Sequence, residues 1–257
     1  AGHNEIIAIG GDGTINESVN GMFDEQGPLA PQATFAFVTS GTGGDFRKTS
    51  GIAHDIVSAI ARLKEGTTRA IDVGRVSCLG KDGETVVRYF INIASFGLSG
   101  VIVEAVNRAR ISKVFGGRFA FAFHSTLAMF LYRDRAIHVC ADGGFDEIAS
   151  ISTVAVANGQ YFGGGMRVAP DACPDDGVFD MIIIKGVAKR QMLKNMNRLY
   201  KGQHVKDANV LVVRTQRVAA TSAGDSDRAI FVETDGELAG RLPATFDLLP
   251  RALKIRC

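Results

Sequence analysis

The residues best placed to do chemistry in this chain are carboxylates set among glycines. Gly10-Gly11-Asp12-Gly13-Thr14 follows the apolar run 6–10, read as a buried parallel strand, and precedes a helix predicted over residues 15–23. Glycines let the backbone turn sharply and expose its N–H groups, and a helix start adds positive dipole character, so this stretch is an anion cradle. A carboxylate inside such a cradle repels a bare phosphate. Asp12 therefore implies a metal ion, a proton-transfer step or a hydroxyl ligand; the plainer alternative is a glycine-rich turn with a solvated aspartate. A second strand, 34–38, feeds Thr39-Ser40-Gly41-Thr42-Gly43-Gly44-Asp45-Phe46, another glycine-rich turn, which also reads as a helix-capping loop. Asp175, Asp176 and Asp180 crowd a third turn, where carboxylates and carbonyls suit Mg2+ or Ca2+, or form an Asx turn ahead of a strand. Asp72 alternates with Ile71 and Val73 on a strand, and is either an exposed strand residue or a further carboxylate near Asp12.

The elements that must hold these groups change character along the chain. Strands 5–9 and 34–38 and a helix over 55–63, with Ile56, Ile60 and Leu63 on one face, read as parallel βα units. From residue 69 strands dominate. Gly80–Gly83 is a hairpin turn between 73–79 and 85–93. Helices are predicted over 100–110 and 117–132, then strands over 136–141, 147–157, 178–184, 209–215, 217–220 and 230–233. The last of these delivers Thr234-Asp235-Gly236-Glu237 as a turn. The alternating tail 244–256 is expected to return to the first domain.

Lys plus Arg number 29 against 27 Asp plus Glu, a balance that gives no support to a nucleic-acid partner. Cys78, Cys140, Cys173 and Cys257 are far apart without CxxC pairing, and no histidine has zinc-type spacing, so the cysteines read as reduced and cytoplasmic. No signal peptide is visible, and the longest uncharged apolar stretch, 119–132, is too short to span a bilayer. A basic helix over 188–199 reads as a solvated face or a surface for anionic headgroups.

GGDGTINESVNG resembles the signature of the diacylglycerol kinase catalytic family, which includes the YegS-like and sphingosine kinase-related lipid kinases. The GGDGT core alone is shared with NAD kinases; the extension through Glu17 and Gly21 favours the lipid-kinase branch. The turn at 41–46 resembles that family's GTGNDF, with Gly44 where the family has Asn. Residues 158–180 resemble its NGxxxGGGMxxAPxAxxxDGxxD pattern, a long segment foreign to NAD kinases. Arg69–Gly74 resembles its IDxG segment, residues 92–97 its NxxxxG segment, which implies a loop at a cleft rim, and Asp235-Gly236-Glu237 its DGE motif.

The resemblance implies an α/β protein of two domains: a partial NAD-kinase-like α/β sandwich, 1–68 completed by 241–257, and an antiparallel β-sandwich lipid-substrate domain, 69–240. It implies ATP-dependent phosphorylation of a lipid hydroxyl, most directly diacylglycerol to phosphatidic acid, with ATP and Mg2+ as cofactors. Glu237 would accept the proton, Asp12 would share in metal organisation and proton removal, and Asp72 would orient them. Gly10, Gly11, Asp12, Gly13, Thr14, Ile15, Asn16, Glu17, Gly41, Thr42 and Gly43 would cradle the nucleotide. Asp176, with the backbone oxygens of Cys173 and Val178, would hold a structural metal. The implied partner is a membrane lipid met by peripheral contact, with a homodimer open. An NAD kinase-like enzyme and a non-catalytic lipid- or nucleotide-binding protein are the alternatives. The family ordinarily carries a further segment ahead of GGDGT, so the chain reads as a fragment.

Overall fold

A computed structural model describes residues 3–40, 44–109, 132–186, 196–224 and 229–257. The second predicted helix, 117–132, and most of the basic helix, 188–199, lie outside those residues, as do Gly41, Thr42 and Gly43. The chain begins with β1 (Glu5–Gly10), α1 (Asp12–Asn20), the short hairpin β2 (Phe23–Asp24) and β3 (Gly27–Pro28), β4 (Thr34–Thr39), α2 (Asp45–Thr49) and α3 (Ile56–Glu65). β1 and β4 pair in parallel, with Glu5 opposite Thr34 and Gly10 opposite Thr39. α1 closes one side of this pair, placing Ile15 and Val19 beside Phe35 and Phe37 in the first core.

Two expectations fail here. β1 is not buried on both faces: Ile7 and Ile9 are exposed, because β4 is its one strand partner among the described residues and α1 covers only the face that carries Ala8. On α3, Ile56 and Ile60 point to solvent and Ala59 is the buried position. The inner face is made instead by Ala59 and, one turn on, Arg62. Its guanidinium lies 5.1 Å from the Phe37 ring centroid and donates to the carbonyls of Phe37 and Arg256. A long side chain that buries its stem and satisfies its head on buried carbonyls displaces the isoleucines from that face.

Beyond α3 the chain builds antiparallel sheet. β5 (Thr68–Leu79) and β6 (Thr85–Phe90) form the predicted hairpin, with Gly83 at φ +84 in the turn. Residues 93–97 are not a loop but β7 (Ile93–Gly97), wholly buried between β13 and β9; α4 (Leu98–Ala109) follows it. The apolar IASF run pairs on both sides, so its backbone is satisfied without solvent. β8 (Arg135–Ala141), β9 (Phe145–Ala157), β10 (Phe179–Lys185), β11 (Val210–Thr215), β12 (Arg217–Ser222), β13 (Phe231–Thr234) and β14 (Glu237–Arg256) complete the sheet, in the order β1-β4-β14-β12-β8-β9-β10-β11. The second core, with Phe90, Phe96, Phe179 and Phe246 fully buried, fills this sandwich. β14 runs antiparallel to β5 for most of its length, and its end lies parallel to β4, with Lys254 opposite Thr34.

Candidate active site

α1 begins at Asp12, three residues earlier than its sequence pattern predicts. Gly11 is its N-cap, with extended backbone (φ −86°, ψ −176°) and no side chain capping the helix. The first turn, Asp12-Gly13-Thr14, therefore presents backbone amides and the positive end of the dipole together. The glycines have distinct reasons. A Cβ on Gly10 would fall 2.4 Å from Thr14 Oγ1, while one on Gly11 would meet nothing within 4 Å, leaving an open cradle. A Cβ on Gly13 would stand 2.7 Å from Glu237 Oε1, so the carboxylate of the DGE turn lies directly against the first turn of α1.

Two bonds fix that meeting. Asn16 Nδ2 donates to Asp235 Oδ2 (3.1 Å) and to the Tyr89 carbonyl (3.2 Å). Asp235, at φ +50, accepts from the amides of Ile91 (3.1 Å), Asn92 (3.1 Å) and Ile93 (2.9 Å). Burial nevertheless pushes its carboxyl up to about 6. Behind it, Glu233 is buried, accepts from Ser95 Oγ and from the Gly236 amide (2.8 Å), and is raised by burial to about 7. These groups are the frame of the turn that presents Glu237. Ile15 is committed to the core and Asn16 to Asp235, so their side chains hold the loop, whereas Thr14 and Glu17 are exposed on α1.

Asp12 Oδ2 accepts from the Gly44 amide (2.8 Å), joining the two glycine-rich turns. Its Oδ1 is buried without a hydrogen-bond partner among the described residues. Burial, and then the neighbouring charge of Asp45, raise the Asp12 carboxyl above the ordinary range. Gly44 is left-handed (φ 65°, ψ 43°), a conformation that Asn tolerates better than most residues other than glycine. Asp45 accepts from Lys48 Nζ (2.9 Å) and from the Gly164 amide (2.8 Å), tying this turn to the glycine run 163–165. Asn92 carries the facing wall: its carbonyl accepts from the amides of Asn158 and Gly159, and its Nδ2 donates to the Tyr161 carbonyl (2.7 Å).

Asp72 is fully buried, which overturns its reading as an exposed strand residue. Its Oδ2 accepts from the Gly177 amide (2.8 Å) and its Oδ1 from the Arg251 amide (2.7 Å), and its own amide donates to the Pro174 carbonyl (2.7 Å). The carboxylate thus fastens the 173–178 loop to the irregular stretch of β14, where Arg251 has φ +53. No hydrogen bond among the described residues joins it to Asp12.

In the 173–178 loop, Asp175 is gripped by Arg69 at 2.6 and 2.7 Å, which holds its carboxyl down at about 2. Asp176 pairs with Arg214, and Asp180 lies 3.4 Å from the same guanidinium. The Cys173 carbonyl receives only a long bond, 3.5 Å, from the Asp176 amide. Asp176 with backbone carbonyls is a hard oxygen donor set, and two carboxylates facing one guanidinium leave net negative charge, so the loop fits Mg2+ with Arg214 as its competitor.

The structure brings Asp12, Gly13 and Glu237 together, with Asp45 and Lys48 beside them; Asp72, Cys173, Asp176 and Val178 belong to a second cluster. Sequence reasoning missed Asn16–Asp235, Glu233 and Lys48. Only the Asp-Gly pair of the 235–236 turn, a left-handed turn signal, hints at the first. An orphaned carboxylate oxygen, uncapped amides and an open space over Gly11 together suit a phosphate chain carried with a divalent cation.

Comparison with known proteins bears on both halves. Residues 92–257 match a family profile described as the YegS C-terminal NAD kinase beta sandwich-like domain, and residues 1–76 match the diacylglycerol kinase catalytic domain. The chain is 29% identical over 252 residues to a diacylglycerol kinase of Bacillus subtilis (strain 168), spanning 97% of this chain and 76% of that protein. A Mycobacterium tuberculosis diacylglycerol kinase is 24% identical over 255 residues, with 99% of this chain and 77% of the relative covered. A crystal structure of a diacylglycerol kinase from Bacillus anthracis str. Sterne superposes with a TM-score of 0.71 at 22% identity, over 98% of this chain and 77% of that one, a likeness of fold.

Proposed function

The chain belongs to the YegS-like diacylglycerol kinase family, and from that premise we propose that it transfers the γ-phosphoryl group of ATP to a lipid hydroxyl, that of diacylglycerol, giving phosphatidic acid. The observation that carries this reading is the placement of Glu237 Oε1 against Gly13, on the same first turn of α1 whose Asp12 has an orphaned Oδ1. Bound ATP and Mg2+ supply the phosphoryl group and its charge neutralisation. The residues of the chain do the rest. The uncapped amides at the start of α1 and Lys48 Nζ receive phosphate oxygens. Asp12 holds the cation with its free oxygen, and Glu237 accepts the proton of the attacking hydroxyl. Asp72 is a positioning residue that keeps the 173–178 loop in place, and Asp176 with the Cys173 and Val178 carbonyls holds a second, structural Mg2+. Among the described residues no helix is long and apolar enough to cross a membrane. A lipid acceptor then implies peripheral contact from the cytoplasmic side, and a homodimer is one form in which the enzyme would work.

The test is transfer of labelled γ-phosphate to diacylglycerol in mixed micelles, with sphingosine, ceramide, phosphatidylglycerol and NAD as parallel acceptors. Asp12→Asn and Glu237→Gln are near-isosteric and should each lower kcat by about 100-fold or more with unchanged circular dichroism. Labelled NADP without labelled lipid, or near-parent kcat in either variant, overturns the assignment.

A further inference from the structure

Away from the site just described, three side chains of different chemistry meet on the outer face of the β8–β9 hairpin. β8 alternates: Ile137 and Val139 are fully buried in the sandwich core, which sends His138 and Cys140 to the opposite face. β9 runs antiparallel with Asp146 opposite Cys140 and Ile148 opposite His138, so Asp146 shares that face and lies diagonally across from His138. His138 Nε2 is 2.7 Å from Asp146 Oδ1, and Cys140 Sγ is 3.2 Å from the same Nε2. One ligand atom from each residue lies within 4.8 Å of the other two.

Two kinds of chemistry use such a trio. In a nucleophile relay, the thiol and the orienting carboxylate engage different nitrogens of the imidazole, so that a proton can pass through the ring. Here both approach Nε2, which carries at most one hydrogen, and the relay geometry is absent. Three ligand atoms of metal-binding type gathered within 4.8 Å of one another are what a cation requires. We propose that His138, Cys140 and Asp146 form a binding site for a borderline-soft divalent cation of the Zn2+ class, with three protein ligands and a fourth position open to solvent.

The donor set selects the ion. Thiolate with imidazole favours Zn2+ over Mg2+, whose preference is for all-oxygen shells, so this site is chemically distinct from the carboxylate and carbonyl set around Asp176. The scale also agrees. Zinc bonds of about 2.3 Å to sulfur and about 2.0 Å to nitrogen and oxygen, at tetrahedral angles, set sulfur and nitrogen roughly 3.5 Å apart, close to the 3.2 Å found here, and nitrogen and oxygen roughly 3.3 Å apart, so the exposed Asp146 carboxylate must draw back from its present 2.7 Å. The two strands are fixed in register by their ladder, so ligation needs only small side-chain rotations. The Asp146 side chain is 68% exposed, which leaves an entry path and room for a water in the fourth position. On ligation the thiol releases its proton to solvent, and the ion clips β8 to β9 beside the turn at 142–144.

Co2+ is the probe, because a thiolate ligand gives a sulfur-to-cobalt charge-transfer band and a tetrahedral site gives intense visible bands. The full chain titrated with Co2+ should show both, Zn2+ should bleach them, and Mg2+ in excess should not. Cys140→Ser should abolish the charge-transfer band. His138→Gln and Asp146→Asn should weaken Co2+ binding by more than the about 10- to 100-fold that loss of an outer-shell partner costs. Cys173→Ser should leave the spectrum intact. Zn2+ should raise the melting temperature of the parent and not of Cys140→Ser. Absence of the charge-transfer band in the parent overturns the proposal, as does a band that survives Cys140→Ser or a Zn2+ stabilisation equal in both proteins.

Discussion

Replacing Glu233 by Gln should stabilise this protein, and only above about pH 4.5. Glu233 is 3% exposed and holds its carboxyl at about 7 against an ordinary value of 4.5, with burial as the leading cause and Ser95 Oγ and the Gly236 amide opposing it. Between those values the folded protein keeps a proton that the unfolded chain has released. The stability this contributes is whole below about pH 4.5 and is lost as pH rises through about 7. At about 1.4 kcal/mol per tenfold change in proton affinity, the loss approaches roughly 3 kcal/mol at pH 8. Gln imitates the protonated form: its carbonyl can accept from the Gly236 amide and its NH2 can donate to Ser95 Oγ. Asp235, raised to about 6, adds its charge to the rise of Glu233, so the pH-dependent gap between parent and variant reports the two carboxyls as a coupled pair. Urea unfolding followed by circular dichroism should give equal stabilities at pH 4.5 and a variant about 3 kcal/mol more stable at pH 8, or about 6 °C or more in melting temperature. A gap that is constant with pH, or a variant less stable than the parent at pH 8, would refute the buried-acid account of the turn.

Three further outcomes follow from the geometry. Gly13→Ala should raise the intrinsic stability of α1 by up to about 1 kcal/mol, yet lower kcat about 10- to 100-fold, because its Cβ would displace Glu237 Oε1; unchanged turnover would detach Glu237 from the reacting hydroxyl. Gly44→Asn should keep the parent's unfolding free energy to within about 1 kcal/mol, since the left-handed backbone accepts Asn, whereas Gly44→Val should lose about 2 kcal/mol and loosen the amide that binds Asp12; equal stability of the two variants would contradict the conformational argument. Arg214→Gln frees Asp176 of its competitor, so Mg2+ should raise the melting temperature by about 2 °C or more beyond its effect on the parent, as measured against chelator; no difference would remove Asp176 from metal holding.

What was legible in the sequence is what is local. Strand, glycine turn and helix around Asp12 can be read because each depends on near neighbours, and the hairpin at 80–83 for the same reason. The helix start was misplaced because Asp12 and Gly13 are poor helix formers, and the turn forms around Gly11 regardless. The inward face of α3 was misassigned because period alone ranks Ile above Arg, while the bonds of Arg62 to distant carbonyls decide the rotation. Asp72 could not be told from a surface residue, since the amides that bury it come from Gly177 and Arg251. The Asn16–Asp235 bond joins residues 219 positions apart, and nothing in either neighbourhood announces the other. His138, Cys140 and Asp146 escaped a search for zinc spacings because their spacing is set across two strands, not along one helix.

The course of β14 has a bearing on how the molecule comes into being. Lys254 and Ile255 lie against Thr34 and Phe35, so a core begun by β1, α1 and β4 is closed by residues about 220 positions later. At ribosomal speeds of about 5–20 residues per second, the roughly 220 intervening residues take about 10 to 45 s to appear. Throughout that interval β4 has β1 on one side and an open edge on the other. The sandwich can assemble during synthesis as its hairpins emerge, whereas the half that carries Asp12 must wait for Lys254 and Ile255. A nascent chain stalled before residue 250 would thus present a folded sandwich and an unfinished cradle, a substrate for chaperones that a mature chain no longer is.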